Sequence, residues 1–315
     1  MQDGASNRWT RPSVILVATD LSDLDRLMPF AMGQAGQTGA RLILLHVIAP
    51  RGAVSADLSG MPYYDPAAVV ESAGKILEFC CQAARKHQIE CTGIVREGIP
   101  AEQIFDAAKQ FHVDRIILGT RSRSKLSKLL LGSVAEQVLR SVNLPVITVG
   151  PEARLPVDNN TADRVVLHAT TLREASRPSA ALACQIAGTL EAKLVLLHVL
   201  PPIDQMEREG LPTGLDSAAM QELRSLADSP NGGCSVCVEP RIVHGNPAIE
   251  ILAEAEERHA ALIVMGSTAR SGFQNLTRDR TVYKVLAHAH CPVMTLREAQ
   301  VKDEAEMIAL LATHS

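Results

Sequence analysis

Four runs in the first half of the chain, Val14 to Thr19, Leu42 to Val47, Arg115 to Gly119 and Leu144 to Val149, are apolar at consecutive rather than alternate positions. Continuous apolar runs of this length suit strands covered on both faces, the situation in parallel sheets. Longer stretches of helical character separate them, so the chain reads as a series of βαβ units. Helix starts support this. Asn246-Pro247 places a cap residue before a first-turn proline, and Ser133-Val134-Ala135-Glu136 has the spacing of a capping box with Ser133 as the cap.

The pattern then repeats. VILVATDL from Val14 returns as VVLHATTL from Val165, and ARLILLHVIAP from Ala40 as AKLVLLHVLPP from Ala192. EGIPAEQI from Glu97 matches HGNPAIEI from His244, RIILGT from Arg115 matches LIVMGST from Leu262, and LPVITV from Leu144 matches CPVMTL from Cys291. Five blocks in constant order define two copies of one domain. The expected division is 1–150 and 161–297, joined by a proline-containing linker at 151–160 and followed by a tail at 298–315. Each domain is predicted to be α/β and Rossmann-like, an open, mostly parallel five-stranded sheet flanked by helices. Its ligand is expected beyond the carboxyl ends of the strands, near the switch point. In the tail, Val301, Ala305, Ile308 and Leu311 or Ala312 have the spacing of an extra amphipathic helix.

Composition narrows the function. With 315 residues, 46% hydrophobic and 21% charged, the chain can form two ordinary folded domains. No apolar run approaches the roughly 20 residues of a membrane helix, and the start lacks a signal-peptide h-region, so a cytoplasmic protein without a membrane partner is expected. The net charge of −4 makes no case for nucleic acid. Residues 1–157 carry 17 Lys+Arg against 15 Asp+Glu, and residues 158–315 carry 14 against 20, so the copies differ in charge. Seven cysteines without an export signal are expected as reduced thiols. Cys80, Cys81, Cys184 and Cys291 read as small core residues. Cys234 and Cys237 have C-x-x-C spacing but no second pair beside them, so neither a metal nor a redox role is assigned.

The informative chemistry follows the fourth strand, in GTRSRSKLSKLLLGSVAEQV from Gly119. Gly119 permits a sharp exit. Gly132-Ser133 opens a helix, where free amides and a hydroxyl suit an anion, and Arg121, Arg123, Lys125 and Lys128 lie between. A Walker A loop fails, because Ser124 precedes the lysine where glycine is needed and Leu126 follows it where a hydroxyl should hold magnesium. After the first strand, Asp20 is either a helix cap or a ligand contact. His46 and His198 recur at the second-strand end of each copy and are expected to bond neighbouring backbone.

Gly119, Ser122 and Gly132-Ser133, together with ILVATD, LLHV and GSVAEQVLRSVNLPVITV, resemble the universal stress protein family. Its nucleotide-binding members carry a G-x2-G-x9-G-S/T loop, from which this chain departs by Ser122 in place of the second glycine. The resemblance implies an adenine-nucleotide site, with ATP, with or without magnesium, as the cofactor. By position it implies Ala18, Thr19 and Asp20, then Val47, then Leu118, Gly119, Ser122, Gly132, Ser133 and Val134; Arg121 is added for its charge. It also implies pairing of the two last strands within the chain as a pseudo-dimer. A homodimer and an unidentified regulatory protein complete the expected partners.

The second copy has Thr171 at the place of Asp20, Ala269 at the second loop glycine and Asp279-Arg280 at Gly132-Ser133. A carboxylate about 4 Å from a phosphate costs on the order of 4 kcal/mol at an effective dielectric near 20. The attraction of a helix terminus, roughly 0.3–1 kcal/mol, does not offset that. One competent pocket per chain, in the first domain, is therefore expected. No general base, arginine finger or magnesium-binding carboxylate pair stands out beyond Asp20 and the loop arginines, so no catalytic residue is assigned. Slow ATP hydrolysis and a nucleotide-independent interaction scaffold are the alternative readings.

Overall fold

The computed structural model describes residues 8–50, 65–120, 131–154, 164–172, 177–210, 214–227, 236–267 and 280–297. In the first copy the order is β1 (Val14–Thr19), α1 (Leu24–Thr38), β2 (Arg41–Ile48), α2 (Pro66–Lys86), β3 (Cys91–Glu97), α3 (Pro100–Gln110), β4 (Arg115–Gly119), α4 (Ser133–Ser141) and β5 (Val146–Val149). The second copy continues with β6 (Val165–Ala169), α5 (Arg177–Thr189), β7 (Lys193–Leu200), α6 (Ile203–Arg208) and α7 (Leu215–Ala227). It ends with β8 (Val238–His244), α8 (Pro247–Glu257), β9 (Leu262–Ser267), α9 (Arg280–His288) and β10 (Val293–Arg297). The tail at 298–315 and the C-x-x-C residue Cys234 lie outside the described residues.

All ten strands form one sheet, in the order β3-β2-β1-β4-β5-β10-β9-β6-β7-β8. Every adjacent pair is parallel except β5 and β10, which run antiparallel and join the two copies. In that joint Val293 lies opposite Thr148, Met294 opposite Ile147 and Thr295 opposite Val146. Because Val146-Ile147-Thr148 and Val293-Met294-Thr295 are the same positions of the repeat, the pairing is reciprocal, as a pseudo-twofold axis requires. Tyr283 of α9 and Glu136 of α4 also occupy one repeat position, and the Tyr283 hydroxyl donates to Glu136 Oε2 at 2.6 Å. The expected intramolecular pairing of the last strands is thus present.

Alternation along the buried strands sends side chains to two helical layers. Ile15 and Val17 of β1 join a core with Leu27, Ala31, Leu77, Cys81, Ala183, Ile186 and Leu223 from α1, α2, α5 and α7. Leu16 and Ala18 join the opposite core with Ile104, Ala135, Val138, Ile251 and Val285 from α3, α4, α8 and α9. Both cores include residues of both copies. At the outer strand β3, Gly93 lets α2 come close: a Cβ there would stand 2.8 Å from that of Leu77.

Among the described residues two basic side chains, besides the buried threonines, are exceptions to the apolar interior of the sheet. Arg115 is buried at the start of β4, donating from Nη1 to Gln34 Oε1 at 2.6 Å and from Nη2 to the Trp9 carbonyl at 2.7 Å. Burial lowers its pKa to about 10. Beside it the Asp114 carboxylate accepts from Arg8 Nε at 2.6 Å and from the amides of Ser13 and Val14. The second exception is His168 in β6, fully buried, with Nδ1 on the Val264 carbonyl at 3.1 Å and Nε2 without a partner.

Local expectations are corrected at three places. Asn246 caps α8 as read, its side chain accepting from the Ala248 amide at 3.1 Å. At α4, however, Gly132 is the cap and Ser133 the first helical residue, and Glu136 turns away to Tyr283 and Arg140, so no capping box forms. Glycine wins the cap position because its amide closes a hydrogen bond to Thr120, just past β4. Asp20 caps no helix either, because α1 starts four residues later, at Leu24, with Asp23 at the cap. Finally, Cys184 is disulfide-bonded rather than a reduced core thiol.

Candidate functional site

In the first copy β1 is followed in the chain by neighbours on one side, β2 and β3, before the connection crosses to β4 and β5 on the other. The carboxyl ends of β1 and β4 therefore lie at the switch point, where open α/β sheets take their ligands. Ala18 pairs with Leu118 across it, which sets Thr19 beside Gly119. On the other flank, pairing of β1 with β2 ends at Thr19 opposite His46, while β2 continues beside β3 with Val47 opposite Arg96. Val47 thus projects past the end of β1, with its β1-facing backbone edge beyond that strand. Ala18, Thr19, Asp20, Val47, Leu118 and Gly119 are brought together at three adjacent strand ends.

The helix that should serve an anion is also drawn in. The Gly132 amide donates to the Thr120 carbonyl at 2.7 Å, and the Thr120 amide donates to Val149 at 3.3 Å. This closes the base of the loop and sets the first turn of α4 at the end of β4. The cost is one donor: the Gly132 amide, expected to face an anion, is already engaged. The first intrahelical bond runs from the Glu136 amide to Gly132 at 2.9 Å. The amides of Ser133, Val134 and Ala135 therefore have no acceptor within the helix. Ser133 is exposed and Val134 half-buried. Arg121 and Ser122, with the rest of the basic loop, lie outside the described residues.

At the end of β1 a compact hydrogen-bonded turn fixes Asp20. The Thr19 hydroxyl donates to Asp23 Oδ1 at 2.5 Å and accepts from the Leu21 amide at 2.9 Å, holding Leu21 at a φ of 71°. Asp20 Oδ1 accepts from the Ser22 amide at 2.8 Å and the Ser22 hydroxyl at 2.6 Å. The Asp20 carboxylate is thereby oriented while remaining exposed. His46 Nδ1 lies 3.0 Å from the Thr19 carbonyl, which can only accept, so that nitrogen carries the proton. Burial raises the pKa of Asp23, the Thr19 hydrogen bond opposes the rise, and the nearby Asp20 charge adds to it. Sequence reading missed Ser22, Asp23 and Thr120; the Thr19/Asp23 pair is visible only once the turn is folded.

The second copy builds the same turn with different chemistry. The Leu172 amide donates to Thr170 Oγ1 at 3.2 Å, Leu172 has a φ of 56°, and His198 Nδ1 sits 2.9 Å from the Thr170 carbonyl. Thr171 occupies the place of Asp20. At the end of β9 the Ser267 hydroxyl donates to the Leu296 carbonyl at 3.1 Å, whereas its counterpart Thr120 has a buried hydroxyl without a partner. Ala269 and Asp279 lie outside the described residues, and α9 begins at Arg280. Among the described residues no group of three or more His, Cys, Asp or Glu could hold a metal ion. No described helix is long and apolar enough to cross a membrane.

Comparison with known proteins agrees with this architecture along nearly the whole chain. A universal stress protein of Mycolicibacterium smegmatis is 28% identical over 299 residues, covering 90% of this chain and 96% of that protein. One from Bacillus subtilis, 31% identical over 143 residues, covers 43% of this chain and 97% of its own length, so it corresponds to a single copy. The crystal structure of a universal stress protein from Archaeoglobus fulgidus superposes with a TM-score of 0.69 at 22% identity, covering 91% of this chain and 98% of that one. Residues 13–150 and 163–297 each match the Universal stress protein family, and the chain belongs to that family as a tandem of two such domains.

Proposed function

We propose that the first domain binds an adenine nucleotide, with ATP as the ligand, and that the second domain is a structural copy that has lost the site. Occupancy rather than turnover is then the output, read by a regulatory protein in the cytoplasm or by a second copy of the chain. The units are 1–150, the linker 151–160, 161–297 and the tail 298–315. The observation that carries this reading is the convergence of Asp20, Val47 and Gly119 with the first turn of α4 at the switch point of the first copy.

The described residues fit such a ligand in three ways. The exposed Asp20 carboxylate, oriented by Ser22, is placed to accept from ribose hydroxyls. The backbone of Val47, past the end of β1, offers an edge for a planar base. The amides of Ser133, Val134 and Ala135 and the positive end of the α4 dipole favour phosphate. Arg121 and Ser122 complete the phosphate side in this reading. Magnesium is left to the nucleotide itself.

Titration calorimetry with ATP tests the site. Asp20→Ala should weaken binding about tenfold to a hundredfold, the value of a hydrogen bond to a charged group. Gly132→Asp should weaken it by a hundredfold or more, on the order of the Coulomb penalty above. Asp is a favoured cap, and Gly132 has an ordinary φ of −63°, so this variant should retain the fold. Equal affinity in the parent and both variants refutes the site. No binding by the parent, with no change of melting temperature at millimolar ATP, leaves the scaffold reading.

A further inference from the structure

The buried thiols of Cys81 and Cys91 face each other with their sulfurs 2.9 Å apart. That is less than 1 Å beyond the covalent disulfide length of about 2.05 Å. Cys81 lies on the inner face of α2, and Cys91 is the first residue of the outer strand β3. Three features bring them so close. Gly93 removes the side chain that would hold α2 away from β3, Leu77 occupies the space it leaves, and the Cys81 sulfur itself lies 3.7 Å from where the Gly93 Cβ would be. The turn through Gln88, with a φ of 62°, reverses the chain between the two cysteines. Arg85, one turn of helix after Cys81, donates from Nη2 to the Cys91 carbonyl at 2.8 Å and from Nη1 to Glu78. A cation is thus anchored next to the pair.

From this geometry we infer that Cys81 and Cys91 are a site of reversible disulfide formation, a staple between α2 and β3 closed by peroxide and opened by a dithiol reductant. Cys91 donates its S–H to Cys81, and this hydrogen bond, aided by the Arg85 charge, depresses the Cys81 thiol below its ordinary value. The Cys91 thiol is pushed up by the same bond and by burial. Cys81 is therefore the attacking sulfur. Its thiolate takes a hydroxyl oxygen from hydrogen peroxide to give the sulfenic acid and, after protonation, water. The Cys91 sulfur then displaces that oxygen as a second water, forming the S–S bond. Two thiols are oxidised and one peroxide is reduced to two waters. Both sulfurs are covered in the closed state, so access is through opening of α2 on the outer strand, and oxidation is correspondingly slow.

The second copy cannot do this. β8 aligns with β3 through matching registers, Leu194 opposite Val238 and Leu42 opposite Cys91, so Val238 stands where Cys91 does. The inference is independent of the nucleotide reading. The C-x-x-C spacing pointed elsewhere: Cys237 is exposed and free.

Peptide mapping of the full-length protein after hydrogen peroxide and alkylation tests it. Trypsin separates Ile76 to Arg85, with Cys80 and Cys81, from His87 to Arg96, with Cys91. The expected product is these two peptides joined, released by dithiothreitol, retained in Cys80→Ser and lost in Cys81→Ser. Cys91→Ser should instead leave a sulfenic acid at Cys81 that dimedone captures. Amide exchange in the second half of α2 should slow on oxidation of the parent and not of Cys91→Ser. Recovery of Cys81 and Cys91 as free thiols, or a cross-link that survives Cys81→Ser and disappears in Cys80→Ser, overturns the inference.

Discussion

At the residue scale, His168 shows how a repeat can drift into a liability. The first copy has Val17 at this place, and both strands are buried on both faces. Burial lowers the pKa of His168 to about 4 from an ordinary value of 6.5, the Val264 carbonyl opposing the fall only in part. Between those values the unfolded chain takes up a proton that the folded chain refuses. Stability from the neutral ring is therefore complete above about pH 6.5 and lost as the pH falls to about 4, a change of about 3 kcal/mol. His168→Val should remove most of that acid loss, seen as a smaller difference between urea unfolding free energies at pH 7 and pH 4.5. It should also gain about 1 kcal/mol at pH 7 by deleting the unpartnered Nε2. Equal pH dependence in parent and variant would refute this account. Asp20 was legible as a strand-end carboxylate, because its position depends only on where β1 stops. Ser22, Asp23 and Thr120 were not, because their roles arise from hydrogen bonds that exist only when the turn and the β4 end have formed.

At the element scale, the helices divide into those whose ends are written locally and those whose ends are set by a neighbour. The cap of α8 is local: Asn246 bonds the Ala248 amide two residues on, and Pro247 suits the first helical position. The cap of α4 is not. Ser133 has the better local chemistry, yet the Gly132–Thr120 bond places the glycine at the boundary. Freed from the capping box, Glu136 accepts the Tyr283 hydroxyl, and burial together with that carboxylate raises the tyrosine pKa to about 12. Tyr283→Phe should cost roughly 1 to 2 kcal/mol in chemical denaturation, since it leaves a carboxylate oxygen without its charge-assisted donor. Glu136→Gln should cost at least as much, because one amide oxygen cannot accept from both Tyr283 and Arg140. A Tyr283→Phe variant as stable as the parent would show that this contact contributes no net energy.

For the whole molecule, the ten-stranded sheet is expected to couple the unfolding of the two copies. The β5–β10 joint is short, but it is buried and reciprocal. Thr295 Oγ1 donates to the Val146 carbonyl at 3.3 Å and Thr148 Oγ1 to that of Val293 at 3.4 Å. Buried apolar clusters on both faces of the sheet also contain residues of both copies. Scanning calorimetry should show one cooperative transition in place of two. Ile147→Asp, at the centre of the joint opposite Met294, should destabilise both halves together by about 3 kcal/mol or more, as for an unpaired charge in a core. Two resolved transitions in the parent would sink this expectation.

The amino-acid sequence alone determined the repeat, the class of sheet, the pairing of the last strands through the family resemblance, and the strand ends at which a ligand is proposed. These follow from periodicity and from short segments whose conformation is set by their own residues. Tertiary structure alone decided the meeting of Cys81 with Cys91, the partners of Arg115 and His168, the capture of Glu136 by Tyr283 and the loss of the Gly132 amide to Thr120. Each of those depends on how closely two elements approach, and that distance is set by side-chain volume across the whole core rather than by any local pattern.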